Sequence, residues 1–296
     1  MEILRTPDSC FSDLPGFPYE PRYQEVDAGD GSPLRIAFVD EGPRGAAPVL
    51  LIHGNPTWSY LYRKMIPGFL ASGARVVVPD FVGFGRSDKP ADEALYTFDF
   101  HRRFLLDFIQ QRELRHITLV VQDWGGLLGL TLPMEVPQIE SLFIMNTTLA
   151  TGDVRLTEGF IAWRAYVAKN PDLACGKLLA RACPHLTPEE AAAYDAPFAD
   201  AKSKAGVRRF PQLVPEHFDD PGAEVSRQAR EWLSTAWKGD TFMAVGAKDP
   251  VLGPPVMSLL KTWIRGCPEP VMIQDGGHFL QEWGDEVMTA WSRTKT

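Results

Sequence analysis

An α/β fold is predicted, built on a mostly parallel central sheet flanked by helices and interrupted by a helical insertion. Three observations predict it. Short runs that are apolar on both faces recur along the chain and end in polar or glycine-containing turns. Longer helical stretches separate them. A segment rich in Pro, Ala and aromatic residues, without strand alternation, then divides the earlier runs from the later ones.

The elements follow in order. Residues 48–52 form the first buried-strand candidate and run into His53-Gly54. Residues 75–79 form the second and end at Asp80, and residues 100–111 read as a flanking helix. Residues 117–121 form the third strand and end at Gln122-Asp123; residues 142–145 form the fourth and end at Asn146. The strand signal stops there and returns at 241–245 and 270–273, and residues 284–293 read as a closing helix. The expected organisation is a core domain of residues 1–148 and 222–296 and a helical cap domain of residues 149–221.

Composition narrows the function classes. The 296 residues are 45% hydrophobic and 23% charged, enough for a large core and unlike a disordered chain. A net charge of −8 argues against nucleic acid and against anionic membrane surfaces as partners, since both demand basic patches. Cys10, Cys175, Cys183 and Cys267 have neither metal-site nor redox-motif spacing, and four scattered thiols fit a reducing compartment. No secretory signal and no membrane-crossing apolar run is read, so a cytoplasmic enzyme is expected, monomeric and free of metal and organic cofactor.

The chemistry gathers at strand ends, where open α/β sheets place reactive groups. Val121-Gln122-Asp123-Trp124-Gly125-Gly126 has the form of a nucleophile elbow, a sharp strand-to-helix turn that lifts one side chain above the sheet. Asp123 stands where the commoner motif has serine, and Val121 replaces its first glycine. The bland alternative is that Asp123 only caps the following helix. Partners downstream favour chemistry. Asp249 follows one strand candidate, and His278, one of six histidines, lies in a Gly-rich loop beyond the next. The order nucleophile, acid, histidine is that of the α/β-hydrolase fold. Asp249 would fix the imidazole tautomer and leave the other ring nitrogen as general base. Asn55, after the first strand, and Trp124, after the nucleophile, would supply the oxyanion-hole N–H groups.

An aspartate nucleophile selects the substrate class. A carboxylate is already ionised at neutral pH and can displace a leaving group from saturated carbon, forming an ester. Water activated by His278 would then attack the ester carbonyl. Alkyl halides and epoxides meet this requirement. An epoxide needs a proton donor, and Tyr166 and Tyr194 are the candidate tyrosines. A halide needs only weak donors in a dry pocket, a role suited to the indole N–H groups of Trp124 and Trp163. A haloacid dehalogenase of this fold would need an arginine for the substrate carboxylate near Asp123, and none adjoins the elbow. A non-catalytic binding protein on the same fold is disfavoured by the complete set of Asp123, Asp249 and His278.

HGNPTWSYLYR at 53–63, PDFVGFGRSDKP at 79–90 and VQDWGG at 121–126 resemble the haloalkane dehalogenases, and the resemblance runs over nearly the whole chain, from RTPD at 5–8 to GHF at 277–279. It is closest to the subgroup whose acid follows the strand after the cap and whose second halide donor is a cap tryptophan; Asp249 and Trp163 match those positions. In the other main subgroup the acid is a Glu after the preceding strand, where this chain has Asn146. Asn55 departs from the closest subgroup, whose best-known member has Glu there, so both Asn55 and Trp163 stand as candidates for halide contact. The resemblance implies conversion of haloalkanes to a primary alcohol, halide and a proton. It also implies a pocket lined by Leu127, Phe160, Phe210, Pro211, Val214, Val251 and Leu252.

Overall fold

The computed structural model describes residues 1–294. Eight strands form one sheet: β1 (Arg22–Asp27), β2 (Pro33–Glu41), β3 (Pro48–Ile52), β4 (Arg75–Pro79), β5 (Ile117–Val121), β6 (Ile139–Met145), β7 (Asp240–Gly246) and β8 (Val271–Ile273). Their order is β1-β2-β4-β3-β5-β6-β7-β8. From β4 through β8 every neighbouring pair is parallel, whereas β2 runs antiparallel to both β1 and β4. The α/β class read from the sequence is the fold observed.

The inner strands are apolar because both faces are covered. All five residues of β3 are buried, and its Leu50 and Ile52 pair with Leu119 and Val121 of β5. The cover comes from α1 (Ile66–Ala71) on β4, α2 (Phe98–Gln111) on β1, α3 (Trp124–Gly129) on β3 and β5, α9 (Pro254–Thr262) on β7 and α10 (Gly284–Ser292) on β8. α2 begins two residues before the expected position 100, because the Thr97 hydroxyl accepts the Phe100 N–H at 3.1 Å and caps the helix there.

Between β6 and β7 the described chain holds α4 (Glu158–Lys169), α5 (Cys175–Ala182), α6 (Pro188–Ala192), α7 (Ala205–Arg209) and α8 (Ala223–Thr235), and no strand. Thr157 caps α4 through the Phe160 N–H, and Thr187 with Glu190 forms a reciprocal capping box at α6. The parallel strands all deliver their carboxyl ends to one rim of the sheet. The loops carrying Asn55, Asp123, Asn146, Asp249 and His278 leave from that rim.

Candidate active site

Asp123 occupies the residue before α3 with φ 50° and ψ −125° and makes no side-chain capping bond. Helix capping therefore does not explain this aspartate. A non-glycine residue in that region costs roughly 1–3 kcal/mol, so surrounding contacts must hold it. Its N–H donates to the Asn146 carbonyl at 3.1 Å, and the Thr147 hydroxyl donates to its carbonyl at 2.7 Å. Tight approach on both sides explains the neighbouring glycines. A Cβ on Gly54 would lie 2.3 Å from Asp123 Oδ1, and one on Gly125 would lie 2.0 Å from the Ile52 carbonyl oxygen.

The raised carboxylate meets the expected partners. Asn55 N–H donates to Asp123 Oδ1 at 2.7 Å, and His278 Nε2 lies 3.5 Å from Oδ2. His278 Nδ1 is 2.9 Å from Asp249 Oδ2. Asp249 is buried, yet both oxygens are satisfied: Val251 N–H donates to Oδ1 at 2.7 Å and Asn146 Nδ2 donates to Oδ2 at 2.8 Å. Burial works against ionisation of Asp249, but His278 and these donors outweigh it and hold its pKa below the usual carboxylate range. Burial likewise opposes charge on His278; the carboxylates of Asp249 and Asp123 prevail and raise it to about 10.

Two supporting residues escaped the sequence reading. Asn146 anchors the acid and also accepts the Gly246 N–H at 2.8 Å, tying β6 to β7 behind the histidine. Gln122, fully buried, donates from Nε2 to the His278 carbonyl at 3.0 Å. The available signal was a polar residue closing an otherwise apolar buried strand, where an unpaired amide would be costly.

Two cavities open on Asp123. The larger, about 700 Å³, is lined also by Asn55, Phe160, Trp163, Tyr166, Val251 and His278. The smaller, about 190 Å³ and largely apolar, is lined by Trp124, Leu127, Phe160, Val214 and Leu252. Asp123 lines both cavities, Trp163 the larger and Trp124 the smaller. Phe210 and Pro211 line neither cavity; Phe210 instead packs its ring 4.7 Å from that of Trp124. The Asn55 side chain donates to the Val207 carbonyl at 3.1 Å, so one of its two N–H groups is already engaged. Tyr194 is fully buried with its hydroxyl against Glu282 and Arg63, outside both cavities. Tyr166 lines the larger cavity, half exposed, with its ring stacked on Trp163. No described helix is long and apolar enough to cross a membrane.

Comparison with known proteins agrees with this architecture. The family model described as "alpha/beta hydrolase fold" matches residues 47–285. The chain is 43% identical over 287 residues to a haloalkane dehalogenase of Psychrobacter cryohalolentis, covering 95% of this chain and 94% of that one. It is 42% identical over 284 residues to haloalkane dehalogenase 1 of Mycobacterium tuberculosis, with 95% and 94% covered. Among solved structures, the tetrameric haloalkane dehalogenase DpaA of Paraglaciecola agarilytica superposes with a TM-score of 0.94 at 47% identity, over 98% of this chain and 97% of that one.

Proposed function

The chain belongs to the haloalkane dehalogenases of the α/β-hydrolase fold, hydrolases that cleave carbon–halogen bonds, and on that premise we propose which residues carry the reaction. Asp123 attacks the halogen-bearing carbon, the halide departs toward the indole N–H groups of Trp124 and Trp163, and an alkyl ester forms on the carboxylate. His278 takes a proton from water as the water attacks the ester carbonyl. The N–H groups of Asn55 and Trp124, the latter opening α3 without an intrahelical partner, hold the oxyanion. Collapse releases the alcohol and restores Asp123; haloalkane and water have become alcohol, halide and a proton.

The observation that carries this reading is the Asp123 carboxylate held between the Asn55 N–H at 2.7 Å and His278 Nε2 at 3.5 Å. The electrostatics agree. Two carboxylates keep the resting imidazole protonated; esterification removes the Asp123 charge, so His278 gives up that proton to solvent and is neutral when a base is needed. Asp249 stays ionised and orients the ring. Trp163 is preferred over Asn55 as second halide donor, because the Asn55 amide is drawn toward Val207. An epoxide hydrolase would need a pair of free phenols, and Tyr194 is committed to Glu282 and Arg63.

The helices of residues 149–221 act as the cap over the core formed by 1–148 and 222–296, with Leu127, Phe160, Val214, Val251 and Leu252 as the pocket wall. Free cysteines suit a cytoplasmic setting. A monomer is the working state, and light scattering separates it from a tetramer like that of DpaA. The direct test is halide release from 1-bromobutane and 1,2-dibromoethane beside an epoxide panel. Halide release with epoxides untouched is expected; epoxide turnover with no halide released overturns the reading.

A further inference from the structure

The larger cavity leads from Asp123 and His278 to a surface opening beside α5, where it is lined by Lys177, Arg181, Lys248 and Asp172. Lys248 is paired with Asp275, and Asp172 with the nearly buried Lys204 at 2.6 Å. Lys177 and Arg181 are exposed, stand one turn apart on α5, and have no ion-pair or hydrogen-bond partner among the described residues. The chain as a whole carries a net charge of −8. Two unpaired cations at the entrance to the reactive carboxylate are therefore a local inversion of the molecule's sign. The smaller cavity has a different character, being lined mainly by apolar residues with Arg155 as its one cation.

We propose, resting on the dehalogenase reading above, that Lys177 and Arg181 select haloalkanes bearing a remote anionic group, with ω-halocarboxylates as the chemical class. The halogen-bearing end reaches Asp123 while the carboxylate stays at the mouth between the two side chains. This placement keeps the substrate charge away from the anionic nucleophile. It also distinguishes these substrates from 2-haloacids, whose carboxylate adjoins the reacting carbon and would need a cation beside Asp123. A pair of exposed charges acts chiefly on encounter, so the effect falls in kcat/KM and weakens with salt as screening shortens to about 8 Å at physiological ionic strength.

The test compares each ω-bromoalkanoate, from 4-bromobutanoate to 11-bromoundecanoate, with the bromoalcohol of the same length, by halide release at low and high ionic strength. For at least one length, the ratio of kcat/KM for acid over alcohol is expected to exceed one, by up to about tenfold at low salt, and to fall as salt rises. In Lys177→Gln/Arg181→Gln the ratio should drop below one. A ratio below one at every length in the wild-type protein, or one unchanged in the double variant, overturns the inference while bromoalcohol turnover leaves the dehalogenase reading standing. No halide from either series while 1-bromobutane is still turned over overturns the inference alone; no halide from 1-bromobutane as well sinks both.

Discussion

The sheet rim and the helix α4 differ in how firmly they hold their side chains. At the rim, Asp249 accepts three hydrogen bonds, His278 is fixed at Nδ1 and at its carbonyl, and Asp123 is fixed through its backbone and through Oδ1. On α4 the sole buried residue is Val167, and Trp163, partly buried against the core, makes no hydrogen bond among the described residues and stacks on the half-exposed Tyr166. Groups that must meet a transition state are set on parallel strands whose register is fixed by neighbours. Trp163, the proposed second halide donor, instead sits on an element with little buried surface, where fewer contacts fix its position.

That contrast makes quantitative demands. Asp249→Asn should lower kcat by roughly 10³–10⁴-fold, because the imidazole loses its orienting carboxylate, while halide binding followed by tryptophan fluorescence stays near wild type. Intact turnover would break the claim that the rim is preorganised. Asn146→Ala should reduce kcat by about tenfold and destabilise the fold by about 1–3 kcal/mol in urea titrations, since Asp249 Oδ2 and the Gly246 N–H each lose a buried partner. Trp163→Phe should weaken halide affinity about five- to tenfold through loss of one N–H donor, with little change in unfolding midpoint. Unchanged halide affinity would remove Trp163 from the halide site.

A further demand falls on stability against pH. His278 has a folded-state pKa of about 10 against an ordinary value of 6.5, so the folded protein holds this proton more tightly than the unfolded chain does. The resulting stabilisation is fully present below about 6.5 and is lost as pH rises through about 10. Thermal unfolding midpoints should decline across that window, and His278→Gln should flatten the decline. A decline of the same size in the variant would assign it to other groups.

The same contrast governs what was legible in the sequence. Strands β3, β4 and β5 were read to the residue because burial on both faces leaves a continuous apolar run. Strands β1 and β2 were missed. β1 is an exposed edge, and β2 contains Asp40, which burial would ordinarily forbid but which pairs with Arg75 at 2.7 Å. The positions of Asp123, Asp249 and His278 were readable because the turn chemistry after each strand is local. The roles of Asn146 and Gln122 were not, because each depends on a partner more than 100 residues away. Phe210, expected in the pocket wall, packs its ring on Trp124 of the core elbow, a contact between insertion and core that no local pattern encodes.

The covalent step is tested most directly by mixing His278→Gln with excess 1-bromobutane and measuring intact mass and released halide together. One halide per protein molecule, a mass gain of one butyl group, and localisation of that group to the peptide containing Asp123 are expected. Steady halide release at the wild-type rate, or a stoichiometric burst that leaves Asp123 unmodified, would contradict it.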